Sequence, residues 1–185
     1  MVVPSGTRQY SRAFSEIATV GCTDAGFSYW QSANGEILST DALYRFGMPS
    51  GDYTLTAVCN ATVPAATAAL SDAFVDENGN LLLLLSQSVT EGTLVEYGVL
   101  MTRKATAADL TVDTEVSSVT RGYSSKATGA GVVAFRKTGM FEKQGTWLFR
   151  GYVTYADAQG ELNTVYSGVY TATIADSAVR ATPVN

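Results

Sequence analysis

The sequence predicts an all-β protein, and three observations lead to that fold class. Short runs of β-branched and aromatic residues, many of them alternating with polar residues, are separated by clusters of Gly, Asn, Asp and Pro. The 185 residues include 17 Gly and 10 Tyr, a composition typical of strands joined by many turns. The segment 146–175 contains two long alternating runs joined at Asp157-Ala158-Gln159-Gly160, which indicates a β-hairpin.

The first run of this hairpin separates into two faces, because successive side chains of a strand point to opposite sides of a sheet. Trp147, Phe149 and Val153 share one parity, which is wholly apolar and is predicted to face a core. The other parity contains both Arg150 and Tyr152, as a partly wetted face does.

Four residues of the hairpin are the candidate binding residues: Arg150, Tyr152, Tyr166 and Tyr170. Simple alternation along both runs places them on the mixed face, where Arg150 could stack on Tyr152 or Tyr166. Exposed tyrosines are suitable anchors for a protein or a glycan. The alternative is that this face is ordinary strand surface covered by a neighbouring segment.

Further strands are predicted on both sides of a linker that contains Pro64. Before it, the strands are 14–22, 27–31 and 53–59, with a hairpin turn at Asn34-Gly35 and an arm or incomplete strand at 1–12. After it, a series of segments separated by turns over about 110 residues is typical of a β-sandwich. These segments are 68–75, which could also be a helical turn, then 81–89, 93–102, 109–123, 132–135, 146–155 and 165–174.

Composition and charge exclude several classes of partner. The net charge is -5 and the 12 Lys and Arg are scattered, so nucleic-acid binding, which requires neutralised phosphates, is not expected. No run approaches the roughly 20 apolar residues of a membrane-spanning helix, so membrane insertion is not expected. The first residues lack a secretory signal, and the chain is therefore expected either to stay unexported or to be part of a longer protein.

Residues 26–57 carry a dense pattern of motifs. In order, these are Gly26-Phe27-x-x-Trp30, Asn34-Gly35, Ser39-Thr40, Tyr44 and Phe46 before Met48-Pro49, and Thr54-Leu55-Thr56-Ala57. The pattern resembles the divergent InlB-type repeat found in surface proteins of Gram-positive bacteria. That resemblance implies a small β domain that acts as a carrier or spacer. Because the family usually has more strand before position 14, it also implies a first domain that is truncated or completed by other contacts.

A second pattern lies in the remainder of the chain. It consists of Glu96-Tyr97-Gly98-Val99, then Thr146-Trp147-x-Phe149-Arg150-x-Tyr152-Val153, Gly160 and Tyr166-Ser167. This pattern resembles fibronectin type III and related Ig-like domains, which often follow the repeat in the same bacterial proteins. The two resemblances imply a β repeat domain at 1–60, a linker at 61–66, an Ig-like β-sandwich at 67–176 and a tail at 177–185.

Catalytic and metal-binding chemistry is poorly represented in the sequence. The absence of His removes the commonest general base and metal ligand, and two Cys do not suffice for a zinc site. Carboxylates cluster at predicted turns, at 72–77 and 109–115. Residues 76–80 could be a calcium loop, but they lack the EF-hand spacing and are predicted to form a hairpin turn. We therefore expect no enzymatic activity, no metal and no cofactor.

The two cysteines, Cys22 and Cys59, each end a predicted strand of the first domain. They either form a disulfide that ties the two strands together or remain thiols in a reducing compartment. The sequence leaves both alternatives open.

Three roles fit these expectations. The first is a non-catalytic presentation or adhesion module at a bacterial cell surface or outside the cell, with a neighbouring domain, another copy or a glycan as its partner. The second is a structural or decoration protein of a bacteriophage virion. The third is a glycan-binding accessory module of a carbohydrate-active enzyme, which would bind through Tyr and Trp.

Overall fold

The computed structural model describes residues 2–3, 6–10, 17–47, 53–103, 106, 110–113, 120–123 and 131–184. Within them the chain forms β-strands and one 3-10 turn, Phe141–Lys143, so the predicted all-β fold class is confirmed. No helix in the described part of the chain is long and apolar enough to cross a membrane. The Met48-Pro49 motif and several of the carboxylates at 109–115 lie outside the described residues.

The strands follow most of the predicted segments, but in the predicted segment 109–123 the described residues 110–113 are not a strand and only 120–123 are. The N-terminal unit contains β1 (Val2–Val3), β2 (Gly6–Tyr10), β3 (Ile17–Cys22), β4 (Phe27–Ser32), β5 (Ile37–Ser39), β6 (Leu43–Gly47) and β7 (Tyr53–Cys59). The remainder contains β8 (Ala66–Val75), β9 (Leu81–Val89), β10 (Thr93–Thr102), β11 (Thr120–Tyr123), β12 (Gly131–Lys137), β13 (Gly145–Ala156), β14 (Leu162–Ile174), β15 (Val179–Arg180) and β16 (Thr182–Pro183). The ambiguous segment 68–75 is thus a strand.

The described strands assemble into four sheets. Two belong to the N-terminal unit and have the strand orders β1-β3-β6 and β2-β7-β4-β5. We call the sheet β12-β9-β8-β15 the central sheet and the sheet β11-β10-β13-β14-β16 the outer sheet. The β1–β3 pair is parallel, and the other described pairs are antiparallel, as the predicted hairpins require.

The central and outer sheets enclose one apolar core, to which both contribute the inward-facing parity of their strands. Trp147, Phe149 and Val153 are buried there, as the parity of their strand predicts, and so are Leu83, Tyr97 and Val99. The two sheets therefore pack face to face, and the Ig-like assignment of their topology stays a prediction.

The N-terminal unit has its own core. Trp30 and Leu55 are fully buried in it, whereas Phe27 is only partly buried and its ring is tilted against that of Trp30, with 5.5 Å between the ring centres. The indole N–H of Trp30 donates to the carbonyl of Asp41 at 3.0 Å, so the one polar group of this buried side chain has a hydrogen-bond partner.

Strands β8 and β9 are buried on both faces because the N-terminal unit covers the side of the central sheet that faces away from the outer sheet. Ala69 of β8 belongs to the N-terminal core, while its neighbour Leu70 belongs to the core between the sheets. The Ser88 hydroxyl on β9 lies 2.7 Å from that of Thr40 and 2.8 Å from that of Thr67. The predicted linker is short, since β7 ends at Cys59 and β8 begins at Ala66.

Residues 177–185, which the resemblances imply to be a tail, contribute two short strands. Val179 and Arg180 pair with β8 in the central sheet, and Thr182 and Pro183 pair with β14 in the outer sheet. The segment lacks the alternation that identifies a strand from sequence, because its two short strands belong to different sheets. It therefore joins the edges of both sheets.

Residues 76–80 form the hairpin turn that the sequence predicts, and the tip of the β13–β14 hairpin repeats it. In each, the first Asp accepts hydrogen bonds on Oδ1 from the backbone N–H groups two and four residues later, at 2.8–2.9 Å. The Gly three residues later has positive φ, 71° at Gly79 and 81° at Gly160. Hydrogen bonds from Asn80 lower the pKa of Asp76, so the Asp76 carboxylate acts as a hydrogen-bond acceptor within the turn.

Candidate functional site

The four predicted binding residues do not share one face, because a β-bulge interrupts the hairpin that carries them. Arg150 pairs with Val169 and Tyr152 with Tyr166, so two residues of β14 oppose Gly151 alone. The extra residue reverses the parity of the strand beyond it. Tyr170 consequently lies opposite Phe149 and packs against the core between the sheets, on the side away from Arg150.

Tyr152 was predicted to lie on a partly wetted face, but its side chain is fully buried. It packs with Leu100 and Leu110 in a small cluster on the outward face of the outer sheet, and its hydroxyl donates to the carboxylate of Glu96. A buried phenol with its donor satisfied offers no surface to a partner. The sequence could not predict that residues 110–113 cover Tyr152, because their residue pattern does not indicate which strand they pack against.

The two remaining residues, Arg150 and Tyr166, lie together and are engaged by the same covering segment. The Arg150 guanidinium stands 4.5 Å from the centre of the Tyr166 ring, which confirms one of the two predicted cation–π contacts. Arg150 Nη1 donates to the Leu110 carbonyl at 3.2 Å, and the Tyr166 hydroxyl accepts from Val112 N–H at 3.1 Å. This face therefore matches the alternative interpretation, strand surface covered by a neighbour.

Cys22 and Cys59 are adjacent thiols in this structure, the first buried and the second half-buried. Burial raises the pKa of the Cys59 thiol, and the neighbouring Asp24 carboxylate and Cys22 thiol raise it further. A disulfide between them stays a prediction.

We expect oxidised glutathione to convert these thiols into one intramolecular bridge. The bridge should raise the free energy of unfolding by about 3–4 kcal/mol in the chain-entropy model, because it closes the long loop between β3 and β7. Intact mass after alkylation without reduction, followed by urea unfolding with and without reductant, measures both effects. Cys59→Ser is the control, and two alkylated thiols after oxidation would contradict the prediction.

A different location has the geometry of a site: a cleft of about 490 Å³ where the N-terminal unit meets strands β14 and β16. Glu36, Tyr53 and Tyr170 line it, together with turn residues 32–34 and the backbone-paired Pro183. We call it the junction cleft. Its parts come from three separated stretches of chain, so no local sequence pattern identifies it.

Local structure aims the Glu36 carboxylate at the bulge. Gly35, with φ of 89°, closes the β4–β5 turn, and Glu36 N–H donates to the Ser32 hydroxyl at 3.1 Å. The bulge leaves the N–H of Gly168 outside the β13–β14 ladder. That N–H donates to Glu36 Oε1 at 2.9 Å. The carboxylate thus satisfies a donor that the sheet does not use.

The electrostatics of the junction cleft are dominated by desolvation. Burial raises the pKa of Glu36, and the hydrogen bond from Gly168 only partly offsets it. Burial also raises the pKa of Tyr53 and of Tyr170, and the negative charge of Glu36 and Asp72 adds to both effects. Both phenols therefore stay protonated at neutral pH. In the part of the chain that the structure describes, no Lys or Arg forms an ion pair with Glu36.

Replacement of Glu36 by Gln is expected to make the protein more stable at pH 7. A carboxyl whose folded pKa is raised stabilises the fold below its unfolded pKa and loses that contribution as pH rises through the folded pKa. The amide keeps an acceptor for Gly168 N–H but carries no charge. Urea unfolding from pH 4 to pH 7 should show the gain appearing as pH rises; a gain independent of pH would contradict the assignment.

A buried ion pair joins β8 to β15. A β-bulge between Leu70 and Asp72 interrupts the pairing of β8 with β9 and turns the Asp72 side chain toward the N-terminal unit. This side chain is 1% exposed and forms an ion pair with Arg180. Burial raises the pKa of Asp72, and Arg180 counteracts that effect. The Arg180 guanidinium also stands 5.5 Å from the centre of the Phe74 ring. Asp72 is therefore a strand residue, and its predicted place in a turn is wrong.

The described residues contain no group of three or more acidic or cysteine side chains that could hold a metal ion. Comparison with protein-family models, with curated proteins and with solved structures finds no match for this chain.

Proposed function

We propose that this chain is a non-catalytic presentation or adhesion module of a bacterial cell surface. The observation that supports the proposal most directly is the burial of β8 and β9 on both faces, between the N-terminal unit and the outer sheet. A binding surface that is held in a fixed orientation loses less conformational freedom when it binds. A sheet shared by two units fixes that orientation better than a flexible linker does.

The contacts across this junction are specific as well as apolar. The Ser86 hydroxyl on β9 lies 3.5 Å from the Arg45 carbonyl of β6, a long contact. A side chain at Gly47 would collide with Leu84 and Asp72, so β6 lies directly on the central sheet there. Glu36 reaches from the N-terminal unit to Gly168 of the outer sheet. Together these contacts favour one rigid block.

Two sequence features support the same role. The resemblance of residues 14–59 to a Gram-positive surface repeat favours a carrier or spacer. The absence of histidine from the sequence favours binding over catalysis, because the commonest general base is missing.

The test is to locate the protein with antibodies raised against the purified chain. Immunogold electron microscopy of the cells that encode it, and of any virions they release, should place the label on the cell surface. Label on virions would favour the virion decoration alternative, and label confined to the cell interior would contradict the proposal. A broad hydrolase screen on the purified chain provides a second measurement, since turnover of any substrate would contradict the non-catalytic role.

A further inference from the structure

We propose that the junction cleft binds an alkylammonium group, presented as the lysine side chain of a partner protein. The proposal concerns the chemistry of one contact and holds whether or not the chain acts as a surface module. It depends on the charge, the aromatic lining and the hydrogen bonding of the cleft.

The charge of the cleft favours a cation. Glu36 is half-buried, and the described residues supply it with no basic partner. Among the described cations, Arg180 forms its ion pair with Asp72. A half-buried carboxylate without a counter-ion is costly, and a bound cation would remove that cost while forming a charge-assisted hydrogen bond.

The lining favours a cation on an apolar stem. Tyr53 and Tyr170 line the same cleft as the carboxylate, and the rings of tyrosines attract cations through their faces. Pro183 adds apolar surface, against which the methylene groups of a lysine can pack. The volume of about 490 Å³ lies within the usual range for small-ligand sites, about 300–1,000 Å³.

The hydrogen bonding of Glu36 favours an ammonium over a guanidinium. Arginine binds carboxylates best through a fork of two parallel hydrogen bonds, which needs both oxygens. In the cleft, Oε1 already accepts the N–H of Gly168, so a guanidinium fork would have to share that oxygen with a backbone donor. An ammonium is a compact point charge and needs a single acceptor position.

The experiment is an NMR titration of the protein labelled on its tyrosine rings with Nα-acetyl-lysine methylamide. The ring resonances of Tyr53 and Tyr170 should shift saturably, and Glu36→Gln should weaken binding at least about tenfold. Glu161→Gln, which removes an exposed carboxylate from a hairpin tip, is the matched control and should bind as the wild type does. Binding should also weaken as the pH is lowered, since protonation of Glu36 removes its charge.

Four further ligands decide the chemistry. The norleucine analogue has the same stem without the charge, and the arginine analogue has the fork; both should bind more weakly than the lysine derivative. Butylamine should also bind more weakly if a side chain on a peptide is the natural ligand, and N-acetylglucosamine should not shift these rings.

Equal binding of the norleucine analogue, tighter binding of butylamine or of the sugar, or unchanged binding by Glu36→Gln would each overturn the proposal. Tyr170→Leu gives an independent check, because it removes one ring and leaves the carboxylate. It should weaken binding of the lysine derivative, and unchanged affinity would contradict the aromatic contribution.

Discussion

Trp147→Ala is expected to lower the free energy of unfolding by about 3–5 kcal/mol. The indole is 6% exposed in the core between the central and outer sheets, and its N–H donates to the Lys143 carbonyl at 2.8 Å. The Arg103 guanidinium stands 5.1 Å from the ring centre, so truncation also removes a cation–π contact. Urea unfolding, followed by circular dichroism, measures the change.

Trp147→Phe is the control for this experiment, because it keeps an aromatic ring in the core and loses only the N–H donor and part of the volume. Its cost should be smaller, about 1–2 kcal/mol. A loss below about 1 kcal/mol for Trp147→Ala would place the indole at the surface and contradict the assignment of faces along β13.

Arg180→Ala is expected to cost about 3–5 kcal/mol at pH 7, because it leaves the buried Asp72 carboxylate without its counter-ion. The loss should become smaller as pH falls. Without Arg180 the pKa of Asp72 rises further, and protonation then relieves the buried charge. Urea unfolding of both proteins between pH 4 and pH 7 measures the difference.

The double variant Asp72→Leu/Arg180→Met is the control, since it replaces both charges by apolar groups. It should be close to the wild type in stability or above it, as apolar replacements of buried ion pairs often are. If Arg180→Ala alone is as stable as the wild type, the ion pair does not hold β15 to the central sheet.

Much of the fold could be predicted from the sequence, because alternation and turn residues are local properties. The Asn34-Gly35 turn and the Asp-initiated turn at residues 76–80 lie where predicted. The core positions of Trp147 and Phe149 followed from parity alone. The bulge at residues 167–168 could not be predicted, since a glycine in an alternating strand does not indicate which side receives the extra residue. That one residue moved Tyr170 to the other face.

The candidate site could not be predicted for a related reason: its contacts join distant parts of the chain. Glu36 and Gly168 are 132 residues apart, and Asp72 and Arg180 are 108 apart. Periodicity says which face of a strand a residue occupies, but not which strand will lie across from it. The acidic and aromatic residues can be identified in the sequence. Their proximity in the fold depends on how the N-terminal unit packs on the central sheet.

The double-sided burial of β8 and β9 limits how a gene for this chain can exchange parts by recombination. A crossover in the segment 60–65 would separate Ala69 from the N-terminal core and uncover Leu84 on the central sheet. Each product would expose apolar surface that its new neighbour was not shaped to cover. The two units are therefore expected to be inherited together, although the chain between them has the composition of an ordinary interdomain linker.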